Sequence, residues 1–188
     1  MKILIINNHT SHIVSILECL KGHNVVVKDF SNITLDDTKD VDAIILTGGS
    51  NVRGVVNHSE DYKKEIEIIK NSNKPILGIC LGFQLICKVY DAKFVTLPEK
   101  IKGFKMLEMT TKDKILEGLT DLKVYDNHKI IVKEVVNLKV IAVSENGIEL
   151  VKHRKKLIYG VQFHPESYRE DTNSSIIFEN FIKIIERK

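Results

Sequence analysis

The sequence predicts an α/β protein, a parallel sheet with helices on both faces followed by a small antiparallel extension. In the first half, short near-continuous apolar runs alternate with segments of helical spacing, the pattern of strands buried between helix layers. In the second half, short apolar runs are separated by turn signals such as Asn146-Gly147. The chain has 188 residues, 43% of them hydrophobic, enough for a sizeable core in one domain spanning 1–188.

The elements follow in order. Lys2–Ile6 is apolar after its lysine and reads as a buried strand. Ser11–Lys21 carries Ile13, Ile16, Leu17 and Leu20 at helical spacing. Asn24–Phe30 holds Val25-Val26-Val27, a second strand, and Ala43–Leu46 is a third, stopped by Thr47-Gly48-Gly49-Ser50. Ser59–Asn71 places Tyr62, Ile66 and Ile69 on one helical face and charges on the other. Pro75–Ile79 is a fourth strand, and a helix runs from Phe83 to about Tyr90. Short strands are then expected at Lys93–Leu97, Phe104–Met109, Leu122–Tyr125, Val140–Val143, Ile148–Val151 and Leu157–Phe163. Asn173–Glu186 closes as an amphipathic helix.

Composition narrows the function classes. With 28 basic and 25 acidic residues the formal net charge is +3, which argues against a dedicated nucleic-acid binder. Cys19, Cys80 and Cys87 are an odd, sparse set, so no disulfide framework is expected. They lack zinc-ligand spacing, and no metal or other cofactor is expected. The apolar run at the start is too short for a signal peptide, and no stretch approaches a membrane span. The expected setting is the cytoplasm.

Chemistry concentrates first at Pro75-Ile76-Leu77-Gly78-Ile79-Cys80-Leu81-Gly82-Phe83-Gln84. An apolar strand runs into Gly-x-Cys-x-Gly and then a helix, the cysteine version of a nucleophile elbow. Side chains at Gly78 or Gly82 would crowd such a turn. The helix N-terminus favours the thiolate of Cys80, and the N–H of Leu81 is placed to donate to a developing oxyanion. Cys19 and Cys87 fall inside helices and read as structural.

A cysteine nucleophile needs a base, and the base needs a group that fixes its ring. Of seven histidines, His164 is the strongest candidate, in Gly160-Val161-Gln162-Phe163-His164-Pro165-Glu166-Ser167. It follows an apolar strand, and Glu166 lies two residues on, on the same side of an extended segment. That carboxylate can hold the imidazole in one tautomer. His9, His12, His23, His58 and His153 read as solvated, or for His9 and His12 as facing a partner.

These two segments, in this order, resemble the class I (triad) glutamine amidotransferase domain, and the likeness runs over essentially the whole chain. The resemblance implies a flavodoxin-like fold and a reaction on the side-chain amide of L-glutamine. Cys80 would form a thioester, His164 would shuttle protons and Glu166 would orient His164. The N–H groups of Gly49 and Leu81 would form the oxyanion hole, and Gln84 would contact the substrate. Where family members often have proline after the Gly-Gly pair this chain has Ser50, and where many have histidine it has Phe83.

Asn127-His128-Lys129-Ile130-Ile131-Val132 and the run from Val151 to Gly160 are most similar to the stand-alone glutaminase subunit of two-subunit GMP synthases, with His128 at the active-site mouth, at the partner interface or in a solvated turn. The implied partner is a separate ammonia-accepting synthase subunit, the ATP-dependent one of GMP synthase. Lys102-Gly103-Phe104-Lys105 is also similar to the small subunit of anthranilate or aminodeoxychorismate synthase. A γ-glutamyl peptidase-like hydrolase would use the same triad without a partner. With Ser50 in place of proline, basal activity is expected to be low, and raised by a partner that completes the loop around Gly48–Ser50.

Overall fold

The structure, a computed structural model, describes residues 1–49 and 54–187. Its strands are β1 (Lys2–Asn8), β2 (Asn24–Asp29), β3 (Ala43–Gly49), β4 (Ile76–Ile79), β5 (Lys93–Met109), β6 (Leu122–Glu134), β7 (Leu138–Val143), β8 (Ile148–His153) and β9 (Ile158–Val161). Its α-helices are α1 (Ile13–Cys19), α2 (Lys63–Asn71), α3 (Leu81–Val89) and α4 (Ile176–Glu186). The strands form one sheet in the order β2-β1-β3-β4-β9-β8-β6-β5-β7. The first five in that order pair parallel.

Strand periodicity explains why these apolar runs need cover on both sides. Ile3, Ile5, Ala43, Ile45, Leu77 and Ile79 face one way and share a core with Ile16 and Leu20 of the α1 region and Ile177, Phe178 and Phe181 of α4. Leu4, Ile6, Ile44, Leu46 and Ile76 face the other way and pack with Ile68 and Ile69 of α2 and Leu85 and Ile86 of α3. Burial of each such side chain contributes about 1.5–3 kcal/mol, which fixes the helices on the sheet. Among the described residues, no helix is long and apolar enough to cross a membrane.

The antiparallel part is larger than expected. Two predicted strands are one, β5, whose pairing with β6 is irregular between Thr96 and Ile101. Pro98 lies there, and a proline is tolerated in a sheet at such a break. Exposed Lys93, Lys100 and Lys102 along β5 hid its pattern. β6 also runs on through Asn127 and His128, which places His128 in a strand rather than a turn. β7 pairs with both β5 and β8, so this part of the sheet curls back on itself. Residues Ser59–Tyr62 form a 3₁₀ turn ahead of α2.

Parallel pairing sends the carboxyl ends of β3, β4 and β9 to one edge, side by side, where α/β proteins place their ligands. Between β1 and β3 the register shifts. Ile6 pairs with Leu46, but Asn8 pairs with Gly49, so β3 carries one residue more than β1 there. Such an irregularity re-aims the end of a strand.

Candidate active site

Cys80 joins β4 to α3 with φ +49 and ψ −96, a positive-φ conformation uncommon for a side-chain-bearing residue. Two backbone bonds hold it there. Its N–H donates to the Val161 carbonyl at 2.8 Å, and its carbonyl accepts from the Gln84 N–H at 3.0 Å. The bend depends on its flanking glycines. A Cβ on Gly78 would lie 2.6 Å from the Gly82 backbone, and one on Gly82 would lie 2.4 Å from the Leu46 carbonyl oxygen. The result is a cysteine, 8% exposed, at the N-terminus of α3, where first-turn N–H groups lack intrahelical acceptors.

From the end of β9, His164 reaches the same point. It is buried, and its backbone N–H donates to the Tyr125 carbonyl at 3.0 Å. Its Nδ1 donates to Glu166 Oε1 at 2.8 Å, and Glu166 is buried too. Burial works against the imidazolium. The Cys80 sulfur, by charge and hydrogen bonding, and the Glu166 carboxylate outweigh it, so the pKa of His164 stands well above the ordinary histidine value. With Nδ1 engaged by Glu166, Nε2 is the ring nitrogen left for the sulfur. Gly48 completes the fit, since a Cβ there would lie 3.0 Å from His164 Cε1 and 3.4 Å from Cys80 Cβ.

A cavity of about 430 Å³ opens over the sulfur, lined by Gly49, Cys80, Leu81 and Gln84 on one side and Asn127 and His128 on the other. Exposed Lys100 and Lys129 stand at its rim. Gln162, buried two residues before His164, donates its side-chain amide toward Cys80 Sγ at 3.7 Å and accepts from Gln84 Nε2 at 3.3 Å.

The sequence matches the model of the family described as glutamine amidotransferase class-I over residues 4–184. The chain belongs to the class I glutamine amidotransferases. Among curated relatives, this amidotransferase is 34% identical to a glutamine-hydrolyzing GMP synthase subunit of Methanobrevibacter smithii, over 100% of this chain and 98% of that one. It is 36% identical to the protein of the same name from Pyrococcus abyssi, over 97% of each. A crystal structure of a candidate GMP synthase subunit from Thermoplasma acidophilum superimposes with a TM-score of 0.88 at 25% identity, covering all of this chain and 94% of that one.

All the site residues expected from sequence meet at this one edge of the amidotransferase: Cys80, His164, Glu166, Gly49, Leu81 and Gln84. Ser50, on which the expected role of the loop rested, lies outside the described residues. Phe83 turns away from the cavity into the core against Gly160. Cys87 is fully buried, and burial pushes its thiol well up. Cys19 is half-buried in α1. His12 is not a solvated loop residue: it lies half-buried with its ring 5.7 Å from that of His164 and its Nδ1 3.4 Å from Ser167 Oγ. Gln162 was missed, although it lies two residues before His164 just past the end of β9.

Among the described residues, one group has donors that could hold a metal ion: Asp126, His128 and Glu149, all buried, with ligand atoms within 4.8 Å of one another. Lys105 already brings a positive charge to it, with Nζ 2.5 Å from Asp126 Oδ2 and 3.4 Å from Glu149 Oε1. This ion cluster backs the wall of the cavity formed by His128.

Proposed function

We propose that this amidotransferase is the glutaminase subunit of a two-subunit GMP synthase, hydrolysing the side-chain amide of L-glutamine and delivering ammonia to the ATP-dependent synthase subunit. The observation that carries the reading is Cys80, held at positive φ on a helix N-terminus against the buried His164–Glu166 pair. The full-length likeness to GMP synthase subunits supports the pathway. The strand order β2-β1-β3-β4-β9 supports a flavodoxin-like sheet within a single domain spanning residues 1–188.

The geometry supports the following steps. The Cys80 thiolate attacks the amide carbon, forming the C–S bond and moving the carbonyl π-electrons to oxygen. The N–H groups of Gly49 and Leu81 donate to that oxyanion. His164, kept protonated by Cys80 and Glu166, gives its Nε2 proton to the leaving nitrogen as the C–N bond breaks, which yields ammonia and a glutamyl thioester. His164 then takes a proton from water, which attacks the thioester; the C–S bond breaks, glutamate leaves, and the Cys80 thiolate is restored beside protonated His164. Gln84 contacts the substrate from the cavity floor, and the Lys100 and Lys129 rim suits its α-carboxylate.

The test is glutamate release from glutamine by the full chain, alone and with the ATP-dependent GMP synthase subunit of the same source. Stimulation by that subunit, coupled to GMP formation and abolished in Cys80→Ala, is the expected result. Stimulation only by the large subunit of anthranilate or aminodeoxychorismate synthase would move the chain to that pathway. Partner-independent turnover of γ-glutamyl peptides would make it a peptidase.

A further inference from the structure

Glu65 is a buried carboxyl that the proposed reaction does not use. It lies on α2 with 0% exposure, and its Oε1 accepts from Asn8 Nδ2 at 3.1 Å. The same amide nitrogen donates to the Thr47 carbonyl at 3.0 Å, and the Asn8 N–H donates to Thr47 Oγ1 at 2.9 Å. Thr47 Oγ1 in turn donates to the Gly48 carbonyl at 2.9 Å. A continuous hydrogen-bonded chain thus runs from α2, through the end of β1, to the peptide group joining Gly48 and Gly49. That peptide is planar and trans, so fixing its carbonyl on one side fixes the Gly49 N–H on the other. It sits at the register shift where Asn8 pairs with Gly49, the point at which β3 needs a brace.

The polar atoms left over say what state this brace is in. Glu65 Oε2 and Asn8 Oδ1 are both buried without a hydrogen-bond partner, and they belong to the two side chains already joined by the Nδ2–Oε1 bond. An ionised carboxylate would set acceptor against acceptor there. A neutral carboxyl carries the one proton that pairs them, as an acid does with an amide.

We propose that Glu65, held as a neutral acid against the Asn8 amide, is a positioning residue for the oxyanion donor Gly49 N–H. This rests on the glutaminase reading and adds a pH-sensitive element to it. Burial drives the Glu65 pKa upward; the Asn8 hydrogen bond opposes this and the charge of Asp29 adds to it, leaving the value at about 8. Among the described residues, the charged or titratable neighbours are few. Tyr62, just before α2, is pushed up to about 12 by burial, Glu65 and Asp61, so it stays neutral. Asp29, at the end of β2, lies 2.7 Å from His9 Nε2 and accepts from the Ser31 N–H and hydroxyl. Asn8 and Thr47, from β1 and β3, do not titrate. Ionisation of Glu65 at alkaline pH therefore removes the proton between Oε2 and Asn8 Oδ1, leaves the Nδ2–Oε1 bond alone to hold the pair and loosens the Gly48–Gly49 peptide, which lowers kcat more than it changes KM.

The experiment is steady-state glutamate release by the full chain, as wild type, Glu65→Gln and Glu65→Ala, from about pH 6 to about pH 10. A glutamine side chain pairs with Asn8 as the neutral acid does and cannot ionise. Glu65→Gln is expected to keep kcat within about three-fold of wild type at pH 7, and Glu65→Ala to lose about ten-fold or more in kcat with a smaller change in KM. Titration of His164 is common to wild type and Glu65→Gln and cancels in their ratio. The kcat of Glu65→Gln relative to wild type should rise as pH passes through about 8. A ratio flat with pH, or a Glu65→Gln variant as impaired at pH 7 as Glu65→Ala, overturns the proposal while leaving the glutaminase reading intact. A wild-type chain that neither releases glutamate nor is labelled at Cys80 by an electrophilic glutamine analogue overturns both.

Discussion

Two carboxyl groups lie buried at the same edge of the sheet, and their neighbours set them to opposite tasks. Glu166, 1% exposed, faces an imidazole held protonated beside it. Glu65, 0% exposed, faces only the amide of Asn8. Each uses Oε1 for that contact and leaves Oε2 without a hydrogen-bond partner. Glu166 meets the imidazolium of His164 at 2.8 Å, an ion pair fit for proton transfer. At Glu65 burial outweighs the opposing Asn8 hydrogen bond, and the group holds its proton and serves as a brace. The partner, rather than the residue type or the depth of burial, decides which carboxyl is electrostatic and which is structural.

The strongest way to break the comparison is to make Glu166 like Glu65. Glu166→Gln keeps the shape but removes the charge that, with the Cys80 sulfur, keeps His164 protonated and that orients its ring, so kcat for glutamine hydrolysis should fall about 10³-fold, or about 4 kcal/mol of barrier. Steady-state kinetics checks this, and a loss under ten-fold would contradict it.

The next largest effect concerns stability. Glu65 has a folded pKa of about 8 against an ordinary value of 4.5, so the native state binds the extra proton. Its effect on stability is neutral below about pH 4.5 and becomes more unfavourable as pH rises toward 8, where the folded group also ionises. Glu65→Gln removes that dependence and should stabilise the fold by roughly 3 kcal/mol at pH 7. Denaturant melts at two pH values read it. His164 shares the direction, since its raised pKa gives stability that is complete below its unfolded pKa and lost as pH rises through the folded one. Glu166→Gln should reduce that part of the profile to what the Cys80 sulfur sustains, while Glu65→Gln leaves it in place. The smallest effect is Thr47→Val, which removes the hydroxyl that ties Gly48 and should cost about 1 kcal/mol, read as a several-fold drop in kcat.

The sequence exposed one of these carboxyl groups and concealed the other, for a physical reason. Glu166 and His164 are two residues apart, in a turn closed by the Ser167 N–H on the His164 carbonyl at 3.1 Å rather than in the expected extended segment, so local geometry still puts them together, and glycines around Cys80 mark a turn that few other sequences need. Glu65 meets Asn8 across 57 positions, and only the stacking of α2 on β1 and β3 joins them. In the helix pattern Glu65 looked like one more solvent-facing charge beside Lys64 and Glu67, yet it is buried. Gln162 was within reach of the same two-residue spacing that paired His164 with Glu166. The length of β5 and β6 was not, because exposed lysines and Pro98 at the irregularity masked strands that only cross-strand pairing defines.

The central claim is that Cys80 is the nucleophile of a glutaminase. The most direct test is mass-spectrometric mapping of the full chain after exposure to an electrophilic glutamine analogue, with and without the ATP-dependent synthase partner. The predicted result is one adduct, on Cys80, suppressed by excess glutamine and lost in His164→Ala. No adduct under either condition, or labelling spread equally over Cys19, Cys80 and Cys87, would contradict it.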